Sequence, residues 1–174
     1  RRNDVSVVYE SSTMLRAPAV ALWGESYVLA CEIELAGQTG VRVMTVAGDA
    51  LLETPGWEPS LACVGYTVCL PCETPSSGRG IEQRLSEIGN QGSPRHAMLS
   101  TDDLNMFGNL ASNAATGTIY ACWESTPAWG YDPYTGRHRG INLWTYRPGG
   151  ELSPAEGTFQ GKLPVPLEAY VDNH

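Results

Sequence analysis

Segments in which apolar and polar residues alternate constrain this chain more than any other feature of its sequence. From Tyr27 to Leu35 the odd-numbered positions are apolar or Cys, whereas Glu32 and Glu34 occupy even positions. A period of two predicts a half-buried strand, here with Tyr27 and its odd-numbered companions turned to the core and the two glutamates turned to solvent. The segment 36–40 contains two glycines and predicts a turn, after which 41–46 returns as a second strand.

Further strands are predicted along the rest of the chain. The stronger candidates are the apolar run 61–70, which we expect Pro71 to end, and the segments 117–124 and 141–146. In 117–124, Ile119, Ala121 and Trp123 share one face. Weaker candidates are 5–9, 17–23, 95–100 and 167–171. With 19 glycines and 12 prolines to supply turns, eight or nine strands predict an all-β chain, an antiparallel β-sandwich.

Two short helices are predicted in the loops of this sandwich. Ile81, Leu85 and Ile88 have the i, i+4, i+7 spacing of one helical face, which Gly89 would end. Thr101 would cap a second helix over 102–107. We expect residues 1–174 to form a single domain, with 125–174 as a C-terminal extension.

The charge balance excludes some classes of partner for the body of the domain. The formal net charge is −8, so the chain lacks the positive field that attracts nucleic acid.

No window approaches the roughly 18 apolar residues of a membrane span, and no signal peptide is visible after Arg1. Ten of the 11 basic residues are Arg, a preference that is typical of interfaces but also of a GC-rich genome.

The five cysteines do not predict a closed disulfide framework, because their number is odd. Cys31, Cys63 and Cys122 lie inside strand-like apolar runs, where a free thiol acts as a small core residue. Cys63, Cys69 and Cys72 leave open a disulfide or a zinc site, but no second Cys pair or nearby His pair completes a ligand set. We therefore predict structural thiols and neither a metal nor a cofactor.

Motifs of catalysis are scarce. The sequence has no nucleophile elbow, no phosphate-binding glycine loop and no zinc-protease motif. Glu32 and Glu34 share a strand face, as the carboxylates of sugar-cleaving enzymes often do, but no second strand supplies a facing pair. We predict that the chain is not an enzyme.

An aromatic segment near the C-terminal third is the strongest candidate for a functional site. Trp129, Tyr131 and Tyr134 lie among glycines and are followed by Arg137 and Arg139. Aromatic and Arg side chains on a loop are typical of binding surfaces. A protein interface, a carbohydrate site and plain packing all remain open for this loop.

The order of several segments resembles the jelly-roll coat proteins of small icosahedral RNA viruses. The stretch 15–22, the segment from Trp23 to Tyr27 and the strands 28–35 and 41–49 are similar to two consecutive strands of that family. The segment 107–120 resembles the turn into its last barrel strand. The chain departs from the family by continuing through 125–174 and by lacking its calcium-binding pattern.

This resemblance implies a capsid protein of the virion. Copies of the chain would assemble into an icosahedral shell around an RNA genome, with a host receptor as a further partner and no membrane contact. The genome would be held by a basic N-terminal arm, of which Arg1 and Arg2 would be the stump. The alternative is a secreted or surface β-sandwich module that recognises carbohydrate or protein through the aromatic loop.

Overall fold

The computed structural model describes residues 9–12, 15–75, 81–89, 93–98, 104–126, 140–149 and 158–164. These residues form twelve β-strands and no helix. The strands are β1 (Leu15–Trp23), β2 (Ser26–Leu35), β3 (Gln38–Thr45), β4 (Ala50–Pro55), β5 (Ala62–Val64), β6 (Thr67–Pro75), β7 (Ile81–Ile88), β8 (Arg95–Met98), β9 (Leu104–Asn113), β10 (Thr118–Thr126), β11 (Gly140–Tyr146) and β12 (Thr158–Pro164). The all-β class predicted from the sequence is confirmed, with more strands than the eight or nine expected.

The strands form three groups of four, each an antiparallel meander in chain order. Strands β1 to β4 make a separate sheet, which we call the first layer. Strands β5 to β8 are the second layer, and β9 to β12 are the third. The second and third layers are continuous through one parallel pair, between Ile81 and Leu104. Jelly rolls are built from Greek-key connections, whereas these strands pair in chain order. The predicted antiparallel layers are therefore confirmed, and the predicted jelly-roll connectivity is not.

The layers pack face to face around two apolar clusters. The first cluster joins Val28 and Val43 of the first layer to Val68 and Leu70 of the second. The second cluster lies on the opposite face of the second layer. It contains Ala62, Cys69, Leu85, Ile119, Ala121, Trp123 and Tyr146. The second layer is therefore covered on both faces. In β10, Ile119, Ala121 and Trp123 share one face as predicted, and the structure shows that this face is buried.

The apolar run 61–70 is divided between two strands, contrary to the single strand predicted. β5 and β6 form a tight hairpin, and Gly65, at its turn, has a positive φ of 58°. Pro71 does not end β6, which continues to Pro75. The Pro71 carbonyl accepts a hydrogen bond from the N–H of Ser60, a residue that precedes β5. In a strand, the backbone N–H of a residue points to the same side as its carbonyl. Pro71 has no N–H, but on that side β6 is no longer paired with β5, so the proline removes no hydrogen bond from the sheet.

Both predicted helices are wrong within the described residues. The segment 81–88 is β7, paired with β6 along its whole length. Leu85 faces the second cluster, whereas Ile88 faces the first, so their helical spacing reflects burial on opposite faces of one strand. Leu104 begins β9, so the segment predicted as the second helix from Thr101 onwards is extended where the structure describes it.

The face of β2 that packs against the second layer is the opposite of the one predicted, although Ile33 of the predicted face is also buried. Val28, Ala30 and Glu32 are buried towards the second layer, while Tyr27 is 54% exposed and Cys31 is half-buried. The even positions of β2 are buried because Val28 and Ala30 pack against the second layer. The odd positions form the other face of the first layer, which we call the outer face.

Strands β1, β3, β10 and β11 lie where the sequence predicts them. Strands β11 and β12 continue the third layer beyond residue 125. The predicted strand over 167–171 lies outside the described residues, as does the predicted strand over 5–9 except for Tyr9, which is not part of a strand.

Candidate functional site

The outer face carries large apolar side chains that the fold leaves open. The register of β1 with β2 places Val20 opposite Leu29 and Leu22 opposite Tyr27, so these four side chains share the outer face. Val20 and Leu22 are 62% and 61% exposed. A continuous apolar surface of this kind on a folded protein is typical of a site that binds another molecule.

A β-bulge in β1 produces this arrangement. The register shifts between Arg16 and Ala19, and Ala17 has a positive φ of 46°. One extra residue reverses which positions face outwards. Before the bulge, Leu15 lies opposite Ile33 on the outer face and Arg16 lies opposite Glu32; after it, the even positions of β1 face outwards.

A hollow of about 340 Å³ lies on the outer face, next to the bulge of β1. Its lining is mostly apolar, with Leu15, Pro18, Leu29 and Met44 among its residues. Cys31 also lines it, and burial raises the pKa of this thiol although the nearby Arg42 charge opposes the shift. The thiol is therefore protonated at neutral pH and contributes apolar surface instead of a nucleophile.

A polar group lies at one end of the hollow. Arg42 donates from Nε to Glu53 Oε1 at 2.6 Å and also pairs with Glu53 through Nη2. The same guanidinium donates to the Tyr9 hydroxyl and lies 4.8 Å from the centre of the Tyr9 ring. Tyr9 precedes β1, so this contact fixes the segment before the sheet to the outer face. The charges of Arg42 and Glu53 cancel locally.

A second ion pair anchors the connection between the first and second layers. Glu32 is buried on β2 and accepts a hydrogen bond from Arg16 Nε at 3.0 Å. Its other oxygen accepts from the Glu58 N–H at 2.8 Å. Next to it, Trp57 Nε1 donates to the buried carboxylate of Glu73 at 2.6 Å. Two buried carboxylates thus hold the linker between β4 and β5, which is a structural role.

The first strands of the three layers line a separate groove of about 420 Å³. Its residues come from β1, β5 and β9 and from the turns next to them, and many are small. Ala21, Ala62, Ala111 and Ser112 are among them. No charged residue is among the described residues that line this groove, so these residues offer shape without a specific polar anchor.

A serine and a histidine also lie in contact, on β7 and β8. Ser86 Oγ and His96 Nδ1 are 2.7 Å apart, and the two residues are direct cross-strand neighbours. Burial, and then the Arg84 charge, lower the pKa of His96. Ser86 is completely buried, so its hydroxyl is out of reach of a substrate. The pair is a cross-strand hydrogen bond and not a nucleophilic site.

The candidate site residues predicted from the sequence lie outside the described residues. They are Trp129, Tyr131, Tyr134, Arg137 and Arg139 of the aromatic loop, and Arg1 and Arg2 at the N-terminus. Their role stays a prediction.

Of the three cysteines predicted as core residues, Cys63 is confirmed, whereas Cys31 and Cys122 are less buried than predicted. Cys63, Cys69 and Cys72 are buried free thiols, whereas Cys31 and Cys122 are half-buried. Within the described ranges, no three Cys, His, Asp or Glu side chains lie close enough together to hold a metal ion.

The outer face was missed in the sequence because the odd positions of β2 were assigned to the core. A signal for it was nevertheless present in β1. There the small residues Ala19 and Ala21 alternate with the large residues Val20 and Leu22. The structure places the small residues against the first cluster and the large ones outside.

Comparisons with known proteins show the fold and no more. No family model and no curated protein matches the chain. Among solved structures, the chain is similar to the crystal structure of a subtype N11 neuraminidase-like protein of A/flat-faced bat/Peru/033/2010 (H18N11), with a TM-score of 0.51 and 15% sequence identity. The match covers 90% of this chain and 40% of that chain. Within the part of the chain that the structure describes, no helix has the length and hydrophobicity that a membrane crossing requires.

Proposed function

We propose that this chain is a structural subunit that acts by packing its sheets against other protein surfaces and does not catalyse a reaction. The observation that carries the proposal is the open outer face, on which Val20, Leu22 and Tyr27 are each more than half exposed. Large apolar side chains gain about 1.5–3 kcal/mol each when they are fully buried. The burial of these side chains therefore contributes a favourable free energy to any assembly that covers them.

The coat-protein function predicted from the sequence is one specific form of this proposal. Copies of the chain would close into a shell around an RNA genome in the virion. The segment resemblance and the preference for Arg over Lys support this form, because Arg is favoured over Lys at protein interfaces.

Light scattering of the purified chain tests the proposal directly. One copy has a mass of 18.8 kDa. A closed shell gives a particle of megadalton mass, and a smaller assembly gives a small multiple of one copy. A chain that stays at the mass of one copy over the whole concentration range contradicts the assembly function.

A ligand-binding module is the second candidate, and the hollow of the outer face favours it. A volume of about 340 Å³ lies at the lower end of the range for small-molecule sites. The hollow also combines an apolar lining with Tyr9 and Arg16, as such sites do. The binding module predicted as an alternative from the sequence would act through the aromatic loop, and that form is tested at the loop itself. Trp129→Ala with Tyr131→Ala abolishes binding to a panel of immobilised glycans in a sugar-binding module, and it lowers the assembly mass in a shell.

A further inference from the structure

We infer that the outer face is a self-association surface, on which a second copy of this chain packs its own outer face about a twofold axis. This inference rests on the proposed function and names the partner and the surface. A twofold contact uses the same patch on both copies, so it requires a patch that is complementary to itself. Three properties of the outer face meet that requirement.

The first property is its area. Four exposed side chains of β1 and β2 contribute, and Val46, two residues after Met44 of the same face, adds a fifth. The four are Leu15, Val20, Leu22 and Tyr27, and the five exposures lie between 39% and 62%. Full side-chain surfaces of roughly 150–250 Å² make this about 500 Å² of largely apolar surface per copy. Two copies would bury about 1,000 Å², which is the lower limit for a specific interface. A dimer of this size is expected to be weak, in the micromolar range.

The second property is its similarity to faces that the same molecule already covers. Both faces of the second layer are apolar where they enter the two clusters, and each packs against strands of another layer. The outer face has the same secondary structure, because it belongs to a four-stranded antiparallel sheet. Its apolar residues alternate along β1 and β2 in the same way. A further antiparallel sheet therefore packs on it as the layers pack on each other, about 10 Å apart.

The third property is its charge. Arg42, at one end of the outer face, is paired with Glu53, so this pair brings no net charge to a twofold contact. The whole chain nevertheless carries a formal net charge of −8, so two copies repel each other at long range. Salt screens this repulsion and leaves apolar burial intact. Association through the outer face is therefore expected to strengthen as salt is added.

Substitutions at Leu22 and Val46 test the inference by sedimentation equilibrium over a concentration series. Leu22→Glu places an unpaired charge at the contact and is expected to weaken self-association at least about 30-fold, or about 2 kcal/mol at 1.4 kcal/mol per tenfold. Val46→Glu, which lies in the turn after β3, is expected to act in the same direction with less risk to folding. Tyr120→Glu is the matched control, because Tyr120 is 40% exposed on β10 of the third layer. It is expected to leave the association constant unchanged.

The outcomes separate the inference from the proposed function. If Leu22→Glu and Val46→Glu assemble as well as the wild-type chain does, the proposed function stands and the inference about the outer face is overturned. An equal loss in the Tyr120→Glu control also overturns it, because the effect is then not specific to the outer face. A wild-type chain that is monomeric at every concentration overturns both. A wild-type dimer that Leu22→Glu and Val46→Glu dissociate, and that salt strengthens, supports the inference and argues against a closed shell.

Discussion

Truncating Leu85 measures how tightly the second and third layers are packed. Leu85 is completely buried in the second cluster, together with Ile119 and Trp123. Leu85→Ala removes three buried carbon atoms, which gives roughly 2.4 kcal/mol at 0.8 kcal/mol each. The residual cavity raises the total to about 3–4 kcal/mol. This is a large part of the 5–15 kcal/mol that stabilises a typical domain.

Urea unfolding followed by circular dichroism gives the free energy of unfolding of each variant. For a chain of this length the loss corresponds to a fall in Tm of roughly 6 to 16 °C. Leu22→Ala is the matched control, because it makes the same chemical change at a side chain that is 61% exposed. At low protein concentration it is expected to change the free energy of unfolding by less than about 0.5 kcal/mol. Equal losses in the two variants would refute the packing of the third layer on the second.

Two further predictions concern a thiol and a buried carboxylate. Burial raises the pKa of Cys63 from 9.0 to about 11, so the unfolded chain releases this proton at lower pH than the folded chain does. The contribution of the Cys63 thiol to the free energy of unfolding is therefore complete below pH 9 and is lost as the pH rises to about 11. Urea unfolding over a pH series is expected to show that Cys63→Ala lacks this part of the pH dependence. An unchanged slope of the free energy of unfolding against pH in the variant contradicts the prediction. Glu32→Ala leaves the Glu58 N–H without its acceptor and is expected to cost about 1–3 kcal/mol in urea unfolding. The exposed Glu34→Ala on the same strand serves as control, and equal costs would argue against the buried role of Glu32.

The sequence predicted well those strands in which one face is apolar and the local turn is clear. Residues 26–45 form the expected hairpin, because alternation and a glycine turn both favour it. The shared face of Ile119, Ala121 and Trp123 in β10 was predicted for the same reason, since these residues recur with a period of two, and the structure shows that it is the buried face. These features are local, so they can be recognised without knowledge of what packs around them.

The prediction failed where a strand is covered on both sides. In β7, Leu85 and Ile88 belong to different clusters, and a strand buried on both faces has no period of two to recognise. Its apolar residues then fell by chance on a helical spacing. The continuous apolar run through β5 and β6 has the same cause, because the second layer lies between the other two.

The outer face shows what the sequence determined and what the tertiary structure decided. The alternation in β2 determined that this segment is a strand with two different faces, one carrying Tyr27, Leu29 and Cys31 and the other Val28 and Ala30. Both faces are rich in apolar residues, so the sequence alone could not show which of them the core would bury. The position of the second layer decided it, because Val28 and Ala30 pack against that layer while Tyr27 is left exposed. Local alternation fixes the secondary structure, whereas the burial of either face depends on residues distant in the sequence.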